Sequence, residues 1–325
     1  MDSLDFRIAA PGCIALVPIS NDAPFADDEI EGTMIASAVS PGTELNWAYA
    51  TQDPTKPASG TGYAAVFRVD RAGPTSGANV GEIRFGHFGH GSRVRCKAAR
   101  SIRVPDGVDA VSAALSRLAA VSWSTLTTTQ ARPPEWVAIT GLGIIGNFAA
   151  QMFAAAGYRV LACDPVAARR EFLAGRGIEL CERLPIDDPT WKDKITMVVE
   201  CAGHEAAVRD ACRMVRIGGE VVLVGVPWKQ RADIQSFDIL HAVFHRYVHL
   251  RSGWEWEVPP EPTAHRHGSL RDNAIAAMEW LGSGRMRTDG FVRRGVNPRD
   301  VQQVYRDLQA QHGGMLTAVF DWSLL

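Results

Sequence analysis

Lysine is scarce in this chain. Of 34 basic residues only five are lysine, and the rest are arginine. Neither sign of charge dominates, since 36 acidic residues leave a formal net charge of −2. That excludes a global basic field able to hold nucleic acid or an anionic membrane. Arginine makes planar bidentate contacts that lysine cannot, yet an arginine-rich surface by itself marks no binding site. The six cysteines (Cys13, Cys96, Cys163, Cys181, Cys201, Cys212) form no CxxC and no cluster of four. A disulfide scaffold and a structural zinc lobe are therefore not expected, and a reducing, cytoplasmic compartment fits best. Long apolar runs are missing too. No stretch reaches the roughly 18 residues of a transmembrane helix, and MDSLDFRIAAPGC has early acids instead of the basic start of a secretory signal. There is no internal repeat and no low-complexity tract. What remains is 325 residues, 46% hydrophobic and 22% charged, which suits a soluble chain of two domains.

The first 117 residues read as β-rich. Short apolar runs at Cys13–Pro18, Thr33–Ala38, Ala64–Val69 and Ser92–Cys96 are parted by Gly, Pro, Asn and Asp turns. A helical period first emerges over Asp109–Leu126. From Trp136 strands and helices alternate: WVAIT, then a helix Ile145–Ala156; RVLACD, then Pro165–Gly175; MVVECA, then Glu205–Val215; and finally EVVLVGV. Strands that are apolar throughout imply a parallel sheet covered on both faces. SLRDNAIAAMEWL and NPRDVQQVYRDLQAQ read as later helices, VPPEPTAHRHG (258–268) as a surface loop, and LTAVFDW as a closing strand.

The most informative motif is Gly141-Leu142-Gly143-Ile144-Ile145-Gly146. It follows a strand, opens a helix, and is answered by an acid, Asp164, at the end of the next strand. Gly141 permits a tight turn, Gly143 lets backbone approach a pyrophosphate, and Gly146 lets helix pack on sheet. The helix N-terminus offers unpaired N–H groups to the phosphates. The Asp164 carboxylate can accept from both hydroxyls of an NAD ribose and would repel a 2′-phosphate, so NAD(H) is favoured over NADP(H). Arg169 and Arg170 stand close enough in sequence to serve such a phosphate instead.

The ordered set SPGTEL, TGYAAVFRV, HGSRV, VPDGVDAVSAAL, TGLGIIGN, RVLACDPVAARREFL and MVVECAGHEAAVRDACRMVRIGGEVVLVGVP resembles the medium-chain dehydrogenase/reductase family, the zinc alcohol dehydrogenase superfamily. The resemblance implies an α/β chain with a GroES-like β-rich catalytic domain (1–117 and 254–325) and a Rossmann doubly wound parallel-sheet domain (118–253), the active site lying in the cleft between them. It also brings Ala202 and Gly203, after the fourth strand, and Gly225 and Val226, after the fifth, towards the cofactor. Pairing of the edge stretch YVHLRSGW (247–254) would make a homodimer.

The departures are informative. Where zinc members carry a ligand cysteine, a Gly-His-Glu histidine and a second cysteine, this chain has Pro41, Thr61-Gly62-Tyr63 and Ser116-Arg117-Leu118. A catalytic zinc needs three protein ligands, so no metal is expected. His241, His245 and His249, at helical spacing, together with His87, His90, His265 and His267, do not replace it, because no HExxH glutamate accompanies them. Without zinc the proton and the developing alkoxide need other groups. Thr43 matches the family's relay hydroxyl, Glu44 the acid behind it, and Tyr63 a phenol able to donate to a carbonyl oxygen. The alternative is that Thr43 and Glu44 cap a turn while Tyr63 fills a vacated pocket. Trp47 and Trp123 would line the substrate pocket and suit a bulky or aromatic small molecule, unless both are core. The expected activity is a zinc-independent alcohol–carbonyl interconversion. Reduction of an activated double bond, a lyase or epimerase using bound NAD, and a dinucleotide-binding subunit without turnover stay open. SPGTE with Gly-Tyr also looks like the bacteriochlorophyllide-type branch of the family, over a short span.

Overall fold

A computed structural model describes residues 2–266, 268–311 and 314–325. The chain divides into two compact units: Met1–Arg117 with Met278–Ser283 and Thr288–Leu325, and Leu118–Ala277 with Gly284–Arg287.

The first unit is built on antiparallel strands, apart from Val292–Val296 and Thr317–Asp321, which pair in parallel. Its larger sheet runs Val292–Val296, Thr317–Asp321, Glu29–Ala38, Ala65–Ala72, Ile83–Gly86 and Ser101–Arg103, and Arg93–Lys97 also pairs with Glu29–Ala38. A smaller sheet sets Asp2–Ala10 between Cys13–Ser20 and Ser59–Gly60. Phe6, Ile8, Met34, Phe67 and Phe320 share its core. The helix Val301–Ala310 adds Val301, Val304, Tyr305 and Leu308, one apolar stripe at three- and four-residue spacing. Each such side chain stabilises the unit by roughly 1.5–3 kcal/mol.

The second unit holds a six-stranded sheet whose order is Glu179–Cys181, Arg159–Cys163, Trp136–Thr140, Ile195–Glu200, Glu220–Leu223, His249–Ser252. Every neighbouring pair is parallel. Two halves spread from a central first strand, the doubly wound arrangement that leaves a crevice at the strands' C-terminal ends. Ile195–Glu200 is buried along its whole length, as a strand covered on both faces must be.

Several expectations shift. The helical period over Asp109–Leu126 becomes two helices, Ala110–Ala120 and Trp123–Thr128. The Asp109 carboxylate caps the first by accepting from the Val111 and Ser112 N–H groups, both at 3.0 Å. The second is rich in hydroxyls that bond back to its own carbonyls, Thr127 and Thr128 among them. The helix expected over Pro165–Gly175 shortens to Ala167–Glu171, because Leu173 and Ala174 tighten into three-residue turns. The sequence reading returns the chain to the first unit at residue 254, whereas residues through Ala277 cluster with the second. Asn273 Nδ2 donates to Ser124 Oγ at 3.2 Å and Arg251 pairs with Glu257 at 3.0 Å, which ties this stretch to the second unit. His241 and His245 do stack on the helix Ser236–Arg246, with ring centroids 4.4 Å apart. Tyr247 then turns left-handed (φ 53°), and His249 leaves the helix for the edge strand.

Candidate functional site

The SPGTEL segment makes a one-turn helix, Pro41–Glu44, with Pro41 at its first position, where a missing N–H costs nothing. The Glu44 side chain folds back on it and accepts from the Ser40 backbone N–H at 2.6 Å. Its other oxygen takes the Thr61 hydroxyl at 2.8 Å and the Tyr305 hydroxyl at 2.5 Å, and lies 3.1 Å from His90 Nε2. Glu44 is only 3% exposed. Burial alone would raise its carboxyl, but the facing His90 and the hydrogen bonds from Tyr305 and Ser40 outweigh it and hold the group below the usual range. Gly62 (φ +90°) passes so close to His90 that a Cβ there would lie 2.4 Å from the ring.

Tyr63 is brought to the same turn. Its hydroxyl donates to Ser40 Oγ and lies 3.2 Å from Thr43 Oγ1. The Arg117 guanidinium sits over the phenol ring, 4.9 Å from its centroid. Burial pushes the phenol up, while the two hydroxyls and Arg117 pull the other way; the net shift is upward. Thr43, Glu44, Trp47, Thr61, Tyr63 and His90 are among the walls of a cavity of about 400 Å³ in the first unit. Trp47 is 65% exposed. Trp123 is not among those walls; it is buried at the start of its helix in the second unit. Sequence reasoning missed Ser40, Tyr305 and the partnership of His90 with Glu44. Only the HxxH at His87 and His90 gave a signal.

The three hydroxyls that meet at this turn do not make a zinc-ligand set. The Ser40, Thr43 and Tyr63 oxygens belong to neutral hydroxyls, whereas zinc is held by thiolates, imidazoles and carboxylates. Glu44 and His90 face each other.

In the second unit the glycine turn does fit a dinucleotide. Gly141 has φ +78°, and a Cβ on it would lie 2.7 Å from Ala202 backbone. On Gly146 a Cβ would lie 1.9 Å from the Gly141 carbonyl oxygen. Gly143 differs: a Cβ there meets nothing within 4 Å, so the turn is open where a pyrophosphate would lie. Gly143 caps the helix Ile144–Ala155. Leu142 and Ile144 are buried and Ile145 is half-buried, anchoring the turn. Asp164, 2% exposed, accepts from the Leu142 N–H at 2.7 Å and from the Val166 N–H at 2.8 Å. Arg169 pairs with the same carboxylate at 3.2 Å, so it is drawn to Asp164. Gly203 and Gly225 are held by packing, since a Cβ on Gly225 would lie 2.2 Å from the Gly203 nitrogen. Ala202 is half-buried beside them, and Val226 is 51% exposed.

Beneath these loops lies Glu200, 1% exposed, accepting from the backbone N–H groups of Ala202 at 2.7 Å and Gly203 at 3.1 Å. Burial pushes its carboxyl up to about 7 despite those donors. His265 lies in the loop after Pro262, and His267 is outside the described residues. No helix among the described residues is long and apolar enough to cross a membrane.

Residues 145–254 match the zinc-binding dehydrogenase family. An alcohol dehydrogenase of Geobacillus stearothermophilus is 35% identical over 151 residues, which are 44% of this chain and 44% of that relative. A protein from Sinorhizobium meliloti 1021 bound to NADP shares the fold at a TM-score of 0.78 and 17% identity, covering 99% of both chains. The acetophenone reductase of Geotrichum candidum NBRC 4597, in complex with NAD, does so at a TM-score of 0.79 and 17% identity, over 100% of this chain and 98% of that one. The fold, a β-rich unit and a parallel-sheet α/β unit that carries the glycine turn, is the one that this chain shares with these solved dehydrogenase and reductase structures.

Proposed function

We propose that this protein is an NAD(H)-dependent oxidoreductase that interconverts an alcohol and a carbonyl on a small molecule without a catalytic zinc. One observation carries the reading: the hydroxyls of Tyr63, Ser40 and Thr43 converge, with Arg117 over the phenol, next to Pro41 and within the Thr61-Gly62-Tyr63 segment that the family resemblance aligns with zinc ligands. A bound nicotinamide supplies the hydride acceptor or donor. Tyr63, protonated through the neutral range, gives its proton to the carbonyl oxygen during reduction; during oxidation it first passes its proton through the Ser40 and Thr43 hydroxyls to solvent and then takes the proton of the alcohol. Arg117 stabilises the phenolate left behind, and Ser40 and Thr43 return the proton. Glu44 holds the Ser40 turn in place and acts as a positioning residue. The Gly141–Gly146 turn holds the pyrophosphate, while Asp164 takes the ribose hydroxyls once the Leu142 N–H and Arg169 are shared with the cofactor. Trp47, exposed beside Thr43 and Tyr63, favours a substrate with an apolar or aromatic body.

The test is a fluorescence titration of chelator-treated protein with NADH and with NADPH, followed by a carbonyl and alcohol screen. Tight NADH binding, weak NADPH binding and turnover that survives chelation support the proposal. Turnover restored only by zinc would overturn it. Dinucleotide binding with no turnover on any carbonyl or alcohol would favour a cofactor-binding subunit, a reading that the absent ligand residues also allow.

A further inference from the structure

Cys163 and Cys181 end the neighbouring strands Arg159–Cys163 and Glu179–Cys181, and they are direct partners in the parallel register. Their Sγ atoms lie 2.8 Å apart. Neighbouring strands stand about 4.8 Å apart, which falls within the roughly 4.4–6.8 Å Cα separation of disulfides. A sulfur–sulfur bond of about 2.05 Å would need less than one ångström of further closure. Asp164 follows Cys163 directly, and its backbone N–H donates to the Cys181 carbonyl at 3.3 Å. The two thiols therefore sit immediately behind the carboxylate assigned to the ribose.

We propose that Cys163 and Cys181 are a redox-responsive dithiol, joined into a disulfide by a low-molecular-weight disulfide such as oxidised glutathione, and that the joined form binds the dinucleotide less well. The second half of this rests on the dinucleotide reading above. Cys181 is the entry point because it is half-buried while Cys163 is buried. The hydrogen bond from Cys163, helped by the nearby Arg170 guanidinium, holds the Cys181 thiol below its ordinary value against burial and Glu179. Burial pushes the isolated Cys212 thiol the other way, to about 11. In the first step the Cys181 thiolate attacks one sulfur of the reagent, whose sulfur–sulfur bond breaks and releases one thiolate. Cys163 then loses its proton and attacks Cys181 Sγ, releasing the second thiolate. Two protein thiols are oxidised by two electrons, and the reagent leaves as two thiols carrying the two protons. The new bond draws the end of Arg159–Cys163 towards the edge strand, and Asp164 moves away from Leu142 with it.

The full-length reduced protein is incubated with oxidised glutathione, digested without reductant and mapped by mass spectrometry, with NADH titrations before, after, and after dithiothreitol. The expected result is a Cys163–Cys181 cross-linked peptide pair lighter by two hydrogens. NADH affinity should fall several-fold and return on reduction, and Cys181→Ser should abolish the oxidant's effect. A stable glutathione adduct with no cross-link, or links confined to other cysteines, overturns the dithiol. A complete cross-link with unchanged NADH affinity overturns its coupling to the cofactor. If the reduced protein binds no NADH, the dinucleotide reading fails on its own, and the peptide map still decides the dithiol.

Discussion

Two buried glutamates show how surroundings set chemistry at single residues. Glu44 has a histidine and a phenol to face and stays ionised; Glu200 has chiefly backbone N–H groups and is held near 7. The signs of their effects on stability are opposite. Unfolded Glu200 loses its proton near 4.5, while folded Glu200 keeps it to about 7. Its contribution is therefore full below about pH 4.5 and is lost as pH rises through 7, by about 3 kcal/mol. Glu200→Gln is expected to flatten this segment of the stability–pH curve, as read by denaturant unfolding from pH 5 to 8. Glu44 contributes stability above the usual carboxylate range and loses it as the solution is acidified through its lowered value. At Tyr63 the expectation is kinetic. Tyr63→Phe removes the donor but keeps the ring under Arg117, so kcat should fall about 10²- to 10⁴-fold with KM little changed. Unchanged kcat would remove the phenol from the mechanism. Asp164→Ala should weaken NADH more than NADPH, and equal weakening in parallel titrations would count against the ribose assignment.

At the scale of elements, the glycine turn separates packing from binding. Gly146 lies against the Gly141 carbonyl, so Gly146→Ala forces helix and turn apart and should cost roughly 1–3 kcal/mol or more. Gly143 faces open space with a φ of −61° that alanine adopts freely. Gly143→Ala should therefore change stability by no more than about 1 kcal/mol while lowering NADH affinity sharply. Unfolding curves and NADH titrations on both variants check this contrast, and equal stability losses would sink it. The motif itself was legible from Gly141, Gly143, Gly146 and Asp164. What separates the middle glycine from its neighbours was not, because the 1.9 Å and 2.7 Å approaches arise from how the turn meets the sheet and Ala202.

For the whole molecule, the strand His249–Ser252 ends the parallel sheet, and the preceding helix leaves Phe237, Leu240 and Phe244 largely exposed. An unpaired edge and apolar side chains in water are liabilities that pairing with a second copy relieves. Light scattering is expected to find a dimer; a monomer at every concentration removes the reading.

The residue order alone determined the alternation of strand and helix and the glycine turn with its answering acid. Each depends on neighbours along the chain, where periodicity, turn chemistry and spacing act directly. Tertiary structure decided what those groups face. It set Tyr63 against Ser40 and Thr43, and turned Glu44 to His90 and Tyr305 from far along the chain. It brought Cys163 to Cys181 and packed Gly203 under Gly225. Such partners meet only after the sheets have assembled, and burial, opposed or not by the charges and hydrogen bonds they bring, then sets how each carboxyl, phenol and thiol ionises.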